Sequence, residues 1–394
     1  MTIKRFWSGV MAVARREAHR MGAASEYRAV LLWLPLGVIL FFGVFFSQEV
    51  VGALPIAVVD EDNSALSRRL VSMIRATPQT AIVEEVADAD NARRMVLQGD
   101  VVGVVEIPYG FEKAILSGES GKVVFYDSGA NISTNSLASK GVQTAVTTFG
   151  VGVVLQRAEM RGAMPSEALS QAMPISFTTY GLFNPWLNYG YYVAPCFCVM
   201  VLIIASVLST IYAVGTELRH STSVEWLRAA NGSLVAGLMG KLSLPTLALW
   251  LLALVIGVLI FAIFGAPMQG SWVVLILGAI TLIMAYQAVA LFVVALTASF
   301  RLSLSIGGGY SVLAFTFSGV TFPTMAMLSA VQPFTLLFPY TYFMRLYIDQ
   351  AVRGSAWWLS MQDLAAMLLF CLLPLLVFGK LKQIAVRRKF WGRL

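Results

Sequence analysis

Charge is what this sequence has least of. Asp, Glu, Lys and Arg make up 12% of its 394 residues, against about 25% in soluble domains, too few to clothe a core of this size in a water-facing surface. Hydrophobic residues reach 58%, which excludes a disordered chain. The three cysteines, Cys196, Cys198 and Cys371, all stand in apolar runs, so there is no disulfide framework and no Cys/His metal spacing. The two histidines, His19 and His220, are far apart, which excludes a histidine-based zinc site or triad. A nucleotide-binding loop is also missing. Gly118-Glu-Ser-Gly121-Lys122 lacks the GxxxxGK[ST] spacing, and Val123 stands where the hydroxyl belongs.

What is present is long apolar runs. A helix needs about 20 apolar residues to cross the hydrocarbon core. Six stretches read as spans: 29–46, 192–214, 242–264, 272–300, 303–323 and 364–379. The first is read as a retained anchor rather than a signal peptide, because 28 residues precede it and no small-x-small site follows Phe46. No Asp, Glu, Lys, Arg or His lies centrally in any of the six. Ion-coupled carriers need such groups at the midplane, so a secondary antiporter is disfavoured and energy from outside the chain is expected.

The net charge of +7 invites a nucleic-acid reading, but the positions of the charges oppose it. Residues 1–28 hold six Lys/Arg, 215–241 hold three, Arg301 stands alone between spans, and 380–394 hold six with no acid. Six spans put all four segments on one side, which the positive-inside rule makes cytoplasmic, with both termini there. The opposite side carries 47–190, with ten Lys/Arg against fifteen Asp/Glu. The basic excess thus faces anionic lipid, and nucleic acid is not expected as a partner.

Residues 1–28 carry Phe6, Trp7, Val10, Met11 and Ala14 at helical spacing, with Arg15, Arg16 and Arg20 close by. This is the pattern of an interfacial amphipathic helix, with Trp7, Met11, Arg15 and Arg16 as its membrane and charge contacts. It is either a plain surface anchor or also a contact for a cytoplasmic partner. Residues 47–190 read as an extracytoplasmic α/β domain. Strands are expected at Leu54–Asp60, 81–86, 101–107 and 122–126, and helices at 64–76, 88–99 and 108–118. Ser64 is the N-cap of the first, and Gly99 ends the second. Strands alternating with helices suggest βαβ units. A helical stalk over 131–160 follows, and Pro165 and Pro174 break the path to the next span. Asp60 and Asp62 are read as a turn and cap rather than cation ligands.

After the second span the chain reads Glu217-Leu-Arg-His-Ser-Thr222-Ser-Val-Glu225-Trp-Leu227-Arg228. Ser221 or Ser223 can start a short surface helix with Val224, Trp226 and Leu227 on one face; a plain interfacial loop is the alternative. This block resembles the coupling segment of type-2 ABC exporter permeases, where E-x-E-x-G-T is followed by E-x-L. Glu217, Thr222, Glu225 and Leu227 match, while Arg219 replaces the second acid and Ser221 the glycine. The likeness extends along the chain. The opening strand with its Asp60-Glu-Asp-Asn-Ser64 turn, Pro108-Tyr-Gly110-Phe111, Asn184-Pro185 with Pro195, Ser318-Gly-Val-Thr-Phe-Pro323, and Pro339-Tyr-Thr-Tyr342-Phe343 occur in that family's order. The arginine often found six residues after the last tyrosine is absent, with Ile348 in its place.

The resemblance implies an α-helical polytopic membrane protein of six transmembrane helices, re-entrant helices after the fifth, and an inserted extracytoplasmic α/β domain. It divides the chain into 1–28 (interfacial helix), 29–46 (first span), 47–190 (periplasmic domain with stalk), 191–379 (five further spans) and 380–394 (basic tail). The coupling loop is 215–241 and the re-entrant region 319–360. The implied function is the permease subunit of an exporter that moves a hydrophobic or amphipathic substrate. ATP and Mg would be bound by separate ATPase subunits, and this chain would carry no cofactor, metal or catalytic residue. Glu217, Arg219, Thr222, Glu225, Trp226, Leu227 and Arg228 would couple to the ATPase, and Pro323, Pro333, Pro339 and Tyr342 would line the re-entrant substrate path. Implied partners are a second permease copy (homodimer or related heterodimer), a periplasmic membrane-fusion adaptor and lipids, in a bacterial inner membrane. The alternative is a non-transporting receptor or mechanotransmission protein of the same architecture.

Overall fold

The structure is a computed structural model that describes residues 2–46, 52–86, 88–129, 132–160, 183, 188–320 and 322–392. Two compact units emerge, one of residues 1–49 and 187–394, the other of 50–186. The first unit opens with α1 (Ile3–Ala23). The extended residue Ala24 ends it, and α2 (Ser25–Phe45) follows, with a π-helical turn at Ala29–Trp33. The apolar residues of α1 divide between two sides. Gly9, Val13 and Glu17 are buried, while Trp7 and Met11 are each 57% exposed.

The second unit is built around short strands buried on both faces. Its strands are β1 (Leu54–Asp60), β2 (Thr80–Val86), β3 (Gly103–Ile107) and β4 (Val124–Asp127), in the order β2-β1-β3-β4. Both neighbours of β1 run parallel to it, as βαβ units require. β4 pairs antiparallel with β3. The connections carry α3 (Ala65–Arg75), α4 (Ala89–Gln98) and α5 (Phe111–Ser117), and α6 (Ile132–Met160) follows β4. Ser64 caps α3 in a reciprocal capping box with Ser67, and Gly99 ends α4 at φ +82°, where glycine is favoured. Ile56 and Val58 on one sheet face pack with Leu70, Ile74, Phe111 and Phe149, and Ala57 and Val59 on the other pack with Ala92 and Val104. Pro165, Pro174, Asn184 and Pro185 lie outside the described residues.

The first unit resumes with α7 (Tyr189–Arg219), α8 (Ser223–Ala229), α9 (Leu234–Ile263), α10 (Trp272–Thr297) and α11 (Phe300–Phe317). After short 3₁₀ turns at Thr324–Ala326 and Gln332–Leu337 come α12 (Pro339–Tyr347), continued by a π-helical turn at Ile348–Arg353, then α13 (Trp357–Leu376) and α14 (Phe378–Val386). Among the described residues, five helices are long and apolar enough to cross a membrane: α2, the Gly190–Arg219 part of α7, α9, α10 and α13. The fifth stretch, α11, is an 18-residue helix diluted by Arg301 and by glycines 307–309. The apolar run 364–379 is not one helix: α13 starts earlier, at Trp357, and ends before Val377. α7 and α10 form the interior, with 72% of their most apolar stretch buried, against 17% for α2 and 11% for α13. Gly307 of α11 lets that helix lie against α7, because a Cβ there would stand 2.6 Å from Val207 and Ile211 side-chain atoms. Thr246 of α9 and Gln287 of α10 exchange hydrogen bonds at 2.9–3.0 Å, the polar link between helices that lipid surroundings favour.

The described residues of 319–360 hold the two 3₁₀ turns, α12 and its π-helical continuation. Pro323 and Pro333 are exposed at the short turns, Pro339 is buried at the start of α12, and Tyr342 is half-buried. Tyrosine hydroxyls fasten this region to the helices: Tyr340 donates to the Cys196 carbonyl at 2.8 Å, Tyr310 to that of Leu337 at 2.7 Å, and Tyr347 to that of Tyr191 at 3.2 Å.

One cap in the second unit has a pH signature. Asp62 accepts from the backbone N–H groups of Gly110 (2.8 Å) and Glu112 (3.0 Å) at the start of α5. Desolvation pushes its pKa up, but hydrogen bonds from Ser64 and this backbone outweigh it and hold the carboxyl below its usual range. A depressed folded pKa gives stability that is present above the unfolded value near 4 and is lost as pH falls through the folded one. In amide hydrogen exchange of the full chain, Asp62→Ala should loosen 110–112 by about 1 kcal/mol at pH 7. The difference from the natural chain should shrink below about pH 4.

Candidate functional site

A carboxylate buried without a partner costs several kcal/mol, so a buried Glu must collect cations. Glu217, near the C-terminal end of α7, is fully buried. It accepts from Lys241 Nζ of α9 at 2.7 Å, from Arg16 Nη2 of α1 at 3.3 Å, and also from Arg20 and from the Thr222 hydroxyl. Arg20 also donates to the Thr216 hydroxyl at 3.4 Å. Lys241 is 1% exposed and bridges two acids, its second partner being Glu17 of α1 at 2.7 Å. Two acids and three bases from three helices thus form one ion-pair network with a single positive charge in excess.

Thr222 is the N-cap of α8, so the hydrogen bond to Glu217 fixes the start of that short helix to the end of α7. The turn uses Ser221 at φ +59°. Within α8, Trp226 points inward, donates from its indole N–H to the Gly237 carbonyl at 3.2 Å, and lies 5.6 Å below the Lys241 ammonium. Leu227 is half-buried against the same core. Glu225 is 69% exposed and reaches Arg16 at 3.6 Å, and Arg228 is exposed. Arg219 turns elsewhere, its guanidinium 5.6 Å from the Phe300 ring centre. α14 packs on α8, and the Gly392 N–H reaches the Leu218 carbonyl at 3.0 Å.

α1 lies close against α9. A Cβ on Gly240 would collide with the Val10 carbonyl and stand 2.8 Å from Val13 Cβ, so only glycine leaves room for the helix that carries Arg16, Glu17 and Arg20. The Asn231 side chain, at φ +54°, donates to the Arg5 carbonyl at 2.8 Å. Of the residues singled out in the sequence, Arg16, Glu217, Thr222, Glu225 and Trp226 come together here. Arg15, Trp7 and Met11 face outward on α1. Pro323, Pro333, Pro339 and Tyr342 belong to another part of the unit.

Glu17 and Lys241 were missed as site residues. The signal for Lys241 was a single cation at the edge of an apolar run, which demands an acid. An apolar cavity of about 610 Å³ opens between α7, α9, α10 and α12, with Trp250, Trp272, Phe343 and Tyr347 in its lining; none of the four proposed path residues lines it. Among the described residues, no three His, Cys, Asp or Glu side chains form a metal-binding group.

A family model described as "ABC-2 family transporter protein" matches residues 27–380. No curated protein matches the chain.

Breaking a buried ion pair from one side leaves the other charge stranded, at about 3–5 kcal/mol. Lys241→Ala strands Glu17 and takes one of its three cations from Glu217. It should lower the melting temperature of the purified chain markedly and open α1 to proteolysis. Arg228→Ala, at an exposed position, should leave both within error.

Proposed function

The chain belongs to the ABC-2 transporter family, and we propose that it is the membrane-spanning subunit of an exporter driven by a separate ATPase. As a member of that family it is a multi-pass permease component. In this reading the six spans are α2, α7, α9, α10, α11 and α13. The 18 residues of α11 rise about 27 Å as a helix, close to the ~30 Å hydrocarbon core. The Lys/Arg-rich segments face the cytoplasm, and the unit of 50–186 faces the periplasm of a bacterial inner membrane. α1 lies along the cytoplasmic surface with Trp7 and Met11 toward lipid. The 319–360 region is re-entrant, since non-helical backbone at membrane depth must be buried in protein or line a cavity. A second permease copy completes the path, and a periplasmic adaptor docks on the outer unit. ATP and Mg sit in the partner ATPase.

One observation carries the coupling role. Glu217 joins the end of α7, the start of α8, α1 and α9 in one buried charge network. A force applied to α8 is therefore passed to two spans and the surface helix at once, because none can move without stranding a charge. Glu225 and Arg228 are exposed for the ATPase to grip, while Trp226 anchors the helix from below. The apolar cavity and the absence of central ionisable groups support a hydrophobic or amphipathic cargo.

The test separates gripping from transmitting. Glu225→Lys with Arg228→Glu should abolish co-purification of the ATPase while costing the permease no more than about 1 kcal/mol, the size of the exposed pair that Glu225 makes with Arg16. Glu217→Gln should keep the ATPase bound but lower ATP-driven transport at least about tenfold, the effect of losing roughly 1.4 kcal/mol of coupling. Retained ATPase binding in the double charge reversal would sink the role of α8.

A further inference from the structure

Residues spaced by four stand in one line along a helix, and two such lines of α9 meet the apolar cavity of about 610 Å³. Trp250, Leu254 and Val258 are exposed and form a rim, while Ala253, Gly257 and Phe261 are half-buried behind them. The facing rim is Trp272 and Ile276 of α10, both exposed, with half-buried Ala279 set behind. The cavity is therefore a groove between two helices, open on their outer side and floored by small residues. Packing within the chain does not account for that floor. A Cβ on Gly257 would meet no atom within 4 Å, although glycine weakens a helix interior. A π-helical turn at Leu259–Ile263 then brings Ile260, Phe261 and Ala262 to the same groove. Such turns are frequent at functional sites.

None of the lining residues is acidic or basic, so a charge placed in the groove would go unanswered. The Tyr347 hydroxyl is already given to the Tyr191 carbonyl. The occupant must therefore be uncharged where it lies in the groove. Its length follows from the helix: at 1.5 Å per residue, Trp250 to Ala262 runs about 18 Å along α9. All of this belongs to the half of α9 away from α8, and α10 faces it with its first half. One half of the ~30 Å hydrocarbon core is about 15 Å deep. We propose that the groove binds one acyl chain of a membrane phospholipid, lying along the bilayer normal in the leaflet away from α8. The match in length favours a chain over a compact apolar molecule, and both rims face the medium that supplies it. This goes beyond the exporter reading: it rests on α9 and α10 spanning the bilayer and not on the ATPase.

The experiment is photolabelling of the full-length chain in vesicles of phosphatidylethanolamine and phosphatidylglycerol. The probe is either phospholipid with a diazirine midway along one acyl chain, and labelled residues are read by peptide mass spectrometry. Ala253, Gly257 and Ala279 should be labelled by both probes to within about twofold, because an uncharged groove has nothing with which to tell headgroups apart. Gly257→Leu grows into open space, so the fold should stand. It should lower labelling of Ala253 and Ala279 at least about fivefold, since each methylene kept out of an apolar site forfeits roughly a factor of four. Ala253→Leu, one turn away, should do the same at Ala279 and decides if Gly257→Leu misfolds. Gly37→Leu on α2 also meets open space but lies outside the groove, and should leave the labelling unchanged. Label on exposed Leu376 of α13 with none in the groove would overturn the proposal and leave the groove to a compact apolar molecule. Full labelling in both groove variants, or a strong headgroup preference, would also overturn it. Loss of self-association in Gly257→Leu with the floor still labelled would give the groove to a second copy of the chain. If Leu376 too stays unlabelled, the spanning reading itself falls, so the two failures are told apart. No ATPase enters this readout, and loss of coupling through Glu217 would leave the labelling in place.

Discussion

Withdrawing a carboxylate from water is the constraint on which the first unit is arranged. Glu217 is completely covered at the end of a long apolar helix, and no single neighbour can compensate it. Its three cations come from α1 and α9, far away in sequence. Once they are recruited, the positions of α1, α8 and the near end of α9 are set. Gly240 is needed so that α1 can come close, and Glu17 is needed so that Lys241 is not itself in excess. A hydrophobic replacement of such a cluster often holds a fold together as well or better. The value of a charged one is that its parts cannot slide past each other gradually, which suits the coupling role proposed for α8.

The two units obey different rules. In the second unit, the central strands are apolar on both sides, with α3 and α5 covering one sheet face and α4 the other. In the other unit, the helices are apolar nearly all round, so periodicity says little about which face is inside. Burial there is decided by small residues and hydroxyls. Gly307 sits between Val207 and Ile211, Ser206 and Ser311 return their hydroxyls to their own helices, and Thr246 meets Gln287.

That contrast explains what the sequence could reveal. β1 occupies the apolar run that ends at the acidic turn, Ser64 caps where its side chain can reach back, and Gly99 turns at a positive φ. Each of these signals is local. The antiparallel direction of β4 was not legible, because alternation in one strand says nothing about its neighbour's direction. Glu217 stood out as an acid at the end of an apolar run. Lys241 read as a boundary residue, and Glu17 was hidden in a basic helix, because an ion pair across 224 positions leaves no periodic trace. The short turns of 319–337 were likewise hidden: prolines mark interruptions without fixing the backbone conformation on either side.

That separation also orders events during synthesis. Glu17 leaves the ribosome long before Lys241, and at ~5–20 residues per second the interval is about 10–45 s. Throughout it, α1 has neither the cation that answers Glu17 nor the groove beside Gly240. The N-terminal segment must therefore wait for its partners until the third apolar run has been made. The contact between Glu17 and Lys241 thus forms only after the helices between them have been made.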